Sequence, residues 1–249
     1  MALVWSKHAH GVQYEVRSAG NSLRLYTDGV FHSQYNPKQI LTGHVWDLLM
    51  IPAFFHSPLT IKRVLVLGVG GGAVLQMLRY FVAPEKIVGI ELNPIHLSVA
   101  RRFFNLKHSS INLIQADAIN WLENYQGERF DMIIDDVFSE KDGEPVAVVK
   151  ANRKWFECML KHVNKDGVIV RNFLSKEELL ASAGVSNAYI SQRFSSVFQL
   201  TSSLNENFVG VYYRRRVSSA SLRNNLQKVP KLNWQLKSCR LRYRIWRLS

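Results

Sequence analysis

From Ile61 to Phe173 the chain alternates two textures. Short, mostly apolar runs, KRVLVLG, KIVGIEL, INLIQAD, FDMIIDD and GVIVRNF, predict strands buried on both faces. Between them GGAVLQMLRYF, PIHLSVARRFFNL, AINWLENY and RKWFECMLKHV predict helices, with Pro94 suited to a first turn. This order predicts an α/β fold: a doubly wound parallel sheet covered by helices on both sides. Residues 12–34 read differently. VQYEVRS, SLRLYTDG and VFHSQYN alternate in short pieces around turns at Asn21-Ser22 and Asp28-Gly29, which predicts a small antiparallel meander. QILTGHVWDLLMIPAFF then has apolar Leu41, Val45, Leu48 and Leu49 at helical spacing, broken near Pro52. SVFQL and NFVGVYYRR predict two further strands at a sheet edge.

Composition adds that 249 residues, 47% apolar, suffice for one well-buried core. Two cysteines, Cys158 and Cys239, fit a reducing compartment and no disulfide scaffold. MALVWSKHAHGV does not read as a secretion signal, and no run is long and apolar enough for a membrane span, so a cytoplasmic protein is expected. The net charge of +13 is concentrated at one end. All 19 acidic residues precede Arg214, while residues 214–249 hold 11 basic groups. The body is nearly neutral, so the high pI of the whole chain is no argument for nucleic-acid binding. The tail's leucines and aromatics fit a C-terminal amphipathic helix docked on the body. Nucleic-acid contact through its cations and Trp234, Tyr243 and Trp246 is the less favoured alternative.

The densest candidate chemistry lies at the ends of the predicted strands. Gly68, Gly70, Gly71 and Gly72 follow a strand and open a helix, where a ligand can approach the main chain. Glu91 ends the next strand, placed to bond ribose hydroxyls, and Asp117-Ala118 follow the third, beside an adenine amine. Asp136 ends the fourth. By itself this pattern also fits an NAD site.

The continuous run VLVLGVGGG…VGIELN…LIQADAINW resembles the S-adenosylmethionine-dependent methyltransferase fold, and more closely the spermidine synthase (polyamine aminopropyltransferase) family. The resemblance extends in order from Tyr14 to Pro230. With the change of texture at Ile61 and the charge pattern, the expected division is a small N-terminal β unit (1–36), a connecting helical segment (37–60), a Rossmann-like nucleotide-binding domain (61–213) and a basic extension (214–249). The resemblance also implies a homo-oligomer, a dimer. Glu91, Asp117 with Ala118 in place of the more usual Gly, and Asp136 match the family's acids.

Three departures change the expected chemistry. The family's loop reads GGGDG, and Gly71 stands at the acid's position, which removes repulsion toward the carboxylate of ordinary S-adenosylmethionine. The loop and helix N-terminus are then expected to accept that carboxylate. Ser139 replaces the second acid of a DSSDP-like stretch, while Asp135 adds one that strand alternation points away from Asp136. His44 stands where the family carries a substrate-facing tyrosine. Glu140, Asp142 and Glu144 are alternative loop charges; Tyr26, Phe31, Trp46, Phe54 and Phe55 are candidate walls; Arg171 and Asn172 end the fifth strand.

The expected catalytic residues are therefore Asp136 and His44. The expected cofactor-binding residues are Gly68, Gly70, Gly71, Gly72, Glu91, Asp117 and Ala118. The cofactor is S-adenosylmethionine or its decarboxylated form, with no metal. The leading expectation is methyl transfer to an unknown small-molecule acceptor, an amine among the candidates. The alternatives are aminopropyl transfer, as in a spermidine synthase, and a non-catalytic binding or scaffold protein retaining the fold.

Overall fold

The computed structural model describes residues 1–141 and 144–249, with the side chains of Glu140, Lys141 and Glu144 excepted. The loop charges Glu140, Asp142 and Glu144 thus lie outside what is described. Strands β1 (Ala2–Ala9), β2 (Val12–Ala19), β3 (Ser22–Thr27) and β4 (Val30–Tyr35) form an antiparallel sheet in that order. β1 escapes the sequence reading because nearly all of it is exposed and no alternation shows. The β2–β3 turn falls at Gly20-Asn21, one residue before the predicted place, where Gly20 supplies a φ of +60°.

Helix α1 (Val45–Met50) runs into a tight turn over Ile51–Phe55. β5 (Arg63–Leu67), α2 (Ala73–Met77), β6 (Lys86–Glu91), α3 (Pro94–Arg102), β7 (Ile111–Gln115), α4 (Ala118–Glu123) and β8 (Phe130–Asp135) follow in alternation. A hairpin of β9 (Phe138–Lys141) and β10 (Glu144–Ala147) precedes α5 (Arg153–His162) and β11 (Val163–Phe173). Three short helices, α6 (Lys176–Ala181), α7 (Ala183–Ser186) and α8 (Ala188–Ser191), lead to β12 (Ser196–Ser202) and β13 (Asn205–Tyr213). α9 (Ser219–Gln227) and β14 (Arg244–Arg247) end the chain.

The main sheet has the order β14-β12-β13-β11-β8-β5-β6-β7. β11, β8, β5, β6 and β7 are parallel; β13, β12 and β14 add antiparallel pairings. This is the doubly wound, Rossmann-like architecture with an antiparallel N-terminal sheet. Its unbroken apolar strands have a direct cause. Val64 and Val66 of β5 pack into one core with α1, α2 and α9, while Leu65 and Leu67 pack into the other with α4 and α5. A third, smaller core joins the N-terminal sheet to α3 through Val16, Leu25, Val99 and Phe104.

The tail forms its expected docked helix only in part: α9 buries Leu222 and Leu226 in the core, and the segment beyond it is not helical. After α9, Cys239 and Leu241 are buried, and Tyr243 and Ile245 pack on the core beside them. Every second residue turns inward, which is a strand pattern, and β14 pairs with β12 at the sheet edge. No helix among the described residues is long and apolar enough to cross a membrane.

Candidate active site

A cavity of about 340 Å³ opens at the carboxyl ends of β5, β6 and β8, roofed by β4. The chain leaves β5 through Gly68, Gly70 and Gly72 at φ of +80°, +53° and +90°, a region that favours glycine. Gly68 and Gly70 line the cavity; Gly71 and Gly72 do not. A Cβ on Gly71 would lie 2.5 Å from Phe104 Cε2 and 2.7 Å from Ser33 Cβ, and one on Gly72 would overlap Leu106. Both glycines permit packing rather than ligand approach, which corrects their expected place at the cofactor. Gly71→Asp should therefore lower stability by about 1–3 kcal/mol in urea unfolding and put no new acid in the cavity.

The loop is also tied internally. Val69 N–H and Gly70 N–H donate to Glu91 Oε2 at 3.1 and 2.7 Å, Gly72 N–H to Val69 O at 2.8 Å, and Ala73 N–H to Ser33 Oγ at 3.1 Å. These four donors are thus engaged within the protein itself. Ser33 is fully buried, so Ser33→Ala leaves the Ala73 N–H without its acceptor. The expected cost is about 1–3 kcal/mol, read from the urea midpoint.

Glu91 Oε1 accepts Asn93 N–H at 2.8 Å, so three main-chain donors hold this carboxylate beneath the cavity. Burial raises its pKa, and the three donors oppose the shift. Asp117 lines the next strand end and caps α4, accepting Asn120 N–H at 2.8 Å through Oδ1. Ala118 lines the cavity beside it.

The adjacent acids of β8 part as strand alternation requires. Asp135 is 2% exposed and accepts Trp155 Nε1–H at 2.7 Å and the buried Arg171 guanidinium. Arg171 also donates to Val149 O, so it serves this buried pair and not the cavity. Asp136 turns to the cavity wall and accepts Asn172 Nδ2–H at 2.9 Å; Asn172 Oδ1 accepts Asn207 Nδ2–H at 3.1 Å. Desolvation pushes Asp136 up to about 6, Asn172 opposes the shift, and the charges of Asp135 and Glu91 add to it.

Phe31 and Trp46 line the cavity, with ring centroids 5.3 Å apart. Tyr26 packs behind Phe31 at 5.4 Å, and Phe54 and Phe55 sit in the core. His44 lies outside the lining, 5.1 Å from the Phe31 ring and 5.5 Å from Trp46, with its pKa lowered by burial and by Arg24. It props the aromatic wall instead of facing a substrate, which corrects its expected catalytic place. Sequence reasoning missed His32 and His96. Their rings are 4.9 Å apart on the cavity wall, and burial lowers each to about 4, so both are neutral at physiological pH. His96 Nε2 lies 2.8 Å from Thr27 Oγ1, whereas His32 Nε2 is buried without a partner. No short-range motif joins them; the packing of β4 against α3 does. Among the described residues no His, Cys, Asp or Glu cluster could hold a metal.

Residues 44–228 match the spermine/spermidine synthase domain. The chain belongs to that family. It is 29% identical over 133 residues to polyamine aminopropyltransferase 2 of Caldanaerobacter subterraneus subsp. tengcongensis, covering 52% of this chain and 42% of that one. It is 27% identical over 135 residues to the eEF1A lysine and N-terminal methyltransferase homolog of Drosophila melanogaster, covering 51% and 20%. The chain thus spans less than half the length of these two curated relatives. In fold it is similar to a probable spermidine synthase from Corynebacterium glutamicum, with a TM-score of 0.74 and 15% identity, covering 100% of this chain and 91% of that one.

Proposed function

We propose that the cavity takes an adenosyl sulfonium donor and that the protein transfers an alkyl group from it to an amine, with aminopropyl transfer the leading reaction. Family membership and the aminopropyltransferase relative support that direction over methyl transfer. The observation that carries the reading is Asp136, a desolvated carboxylate on the cavity wall whose pKa of about 6 suits it to a proton near neutrality. The residues fit such a donor. Gly68 and Gly70 leave main chain bare at the cavity, Asp117 keeps an oxygen beyond its helix cap, and His32 Nε2 lacks a partner. Glu91 is assigned to the ribose hydroxyls, and Asp117 with Ala118 to the adenine edge.

When bound, the sulfonium supplies an electrophilic carbon and leaves as a neutral thioether, so no acid is needed on the leaving side. The protein's tasks are to orient an amine and keep its nitrogen unprotonated. Asp136 accepts that proton or hydrogen bond, and Asn172, itself held by Asn207, fixes the carboxylate's direction. Phe31 and Trp46 shield the reacting end from water.

Methyl transfer from S-adenosylmethionine is the second reading. It is favoured by the packing that denies position 71 an acid and by Ser139 in place of another, so the family's usual set for a distal ammonium is incomplete. Incubation with decarboxylated S-adenosylmethionine or with S-adenosylmethionine, each with putrescine, followed by mass spectrometry, separates the two. Spermidine is the expected product. Methylated amine from the second donor alone would establish the second reading, and no product with any amine would sink both.

A further inference from the structure

The eleven cations of residues 214–249 have no acid among them in sequence. Among the described residues none of the eleven makes an ion pair. From Cys239 to Trp246 burial alternates and the chain enters β14 at Arg244: Cys239, Leu241, Tyr243 and Ile245 turn to the core, while Arg240, Arg242, Arg244 and Trp246 are exposed. Within β14 the outward Arg244 and Trp246 share one face, about 6.6 Å apart along the strand. Trp246 is 46% exposed in this row, and Arg242 Nη1 donates to the Cys239 and Leu241 carbonyls, which ties one corner of its exposed guanidinium to the main chain.

A charged edge strand discourages strand pairing between molecules, and any charge would serve. That need explains neither a tryptophan in the same row nor 36 residues without an acid. Eight of the eleven cations are arginine, whose planar fork matches phosphate oxygens and stacks on rings. An anionic membrane surface would call for a continuous apolar face beside the cations. Here that face is already packed against the core.

We propose that this row is a binding surface for single-stranded nucleic acid, with Arg240, Arg242 and Arg244 on successive phosphates and Trp246 stacked on a base. None of these residues lines the cavity, so the proposal stands apart from the transferase reading. The alternation of inward apolar and outward basic positions lets the tail dock on the body and present cations at once.

The test is fluorescence anisotropy of the full chain with a fluorescein-labelled 20-nucleotide oligouridine in 50 and 200 mM KCl. For about five phosphates neutralised, affinity should fall about a hundredfold between the two salts. The triple variant Arg240→Gln, Arg242→Gln, Arg244→Gln should lower the slope of log affinity against log salt by about 2. Trp246→Ala should weaken binding about fivefold or more while Trp246→Tyr retains it, and unlabelled RNA should quench tryptophan fluorescence in the parent. Thermal melts of the variants within a few degrees of the parent separate lost binding from lost folding. No binding in 50 mM KCl, or equal affinity for parent, triple variant and Trp246→Ala, would overturn the proposal. Binding to phosphatidylserine vesicles but not to the oligonucleotide would overturn it in favour of a membrane surface.

Discussion

Asp136→Asn should cut group transfer by about a hundredfold or more while leaving donor affinity within about twofold. The substitution keeps shape and volume and removes the charge and with it the ability to take up a proton. If the carboxylate serves the amine, the parent's rate should rise with pH through a pKa near 6, as the group ionises, and the variant should lose that limb. Stability should move the other way. Burial raises the folded pKa above its unfolded value of 3.8, so the parent is penalised for its charge above about pH 6. Asn lifts that penalty. The carboxylate still opens onto the cavity, so the gain is about 1–2 kcal/mol rather than the roughly 3 that full burial implies. It should fade as pH falls from 6 toward 4, where both side chains are neutral. Urea midpoints at pH 7.5 and 4, with initial rates from pH 5 to 8.5, read both effects. Normal transfer by the variant would make Asp136 a structural acid.

Gly68→Ala should cost about 3–5 kcal/mol, among the largest penalties expected of a single methyl group. Two causes add. The φ of +80° is strained for any residue with a Cβ, and the Cβ would fall on the carbonyl oxygen of Asp136. That oxygen is main chain and cannot swing aside. Asp136 N–H is in turn bonded to Leu67 O at 2.9 Å, so the β5 turn and the β8 end move together. Gly29→Ala is the control: its φ is +84° but the space beside it is open, so only the backbone term of about 1–2 kcal/mol remains. Equal losses for the two variants would mean that the clash with Asp136 is relieved and the turn is not rigid.

The fold was legible because its signals are local. Residues 64 to 67 are all buried, and a strand packed on two faces must read as an apolar run. The opposed directions of Asp135 and Asp136 followed from strand geometry alone. Other features depended on distant partners. Gly71 looked like a ligand contact, yet its neighbours are Ser33 and Phe104, far away in sequence on either side. His44 looked like a base because it fills a tyrosine's place, and its aromatic surroundings appear only in three dimensions. His32 and His96 meet across two elements. In the tail the leucines of α9 are a local signal, whereas beyond it lysine and arginine at exposed positions obscure a two-residue period in Leu241, Tyr243 and Ile245.

Everything proposed for the transferase rests on an adenosyl sulfonium in the cavity over Gly68 and Glu91. Isothermal titration calorimetry of the full chain with decarboxylated S-adenosylmethionine, S-adenosylmethionine and NAD tests it most directly, with Glu91→Gln alongside the parent. Saturable binding of at least one sulfonium compound is expected, with none of NAD, and a loss of about tenfold or more in Glu91→Gln, where a buried acceptor of charge-assisted hydrogen bonds is lost. Binding of NAD with neither sulfonium bound would contradict it.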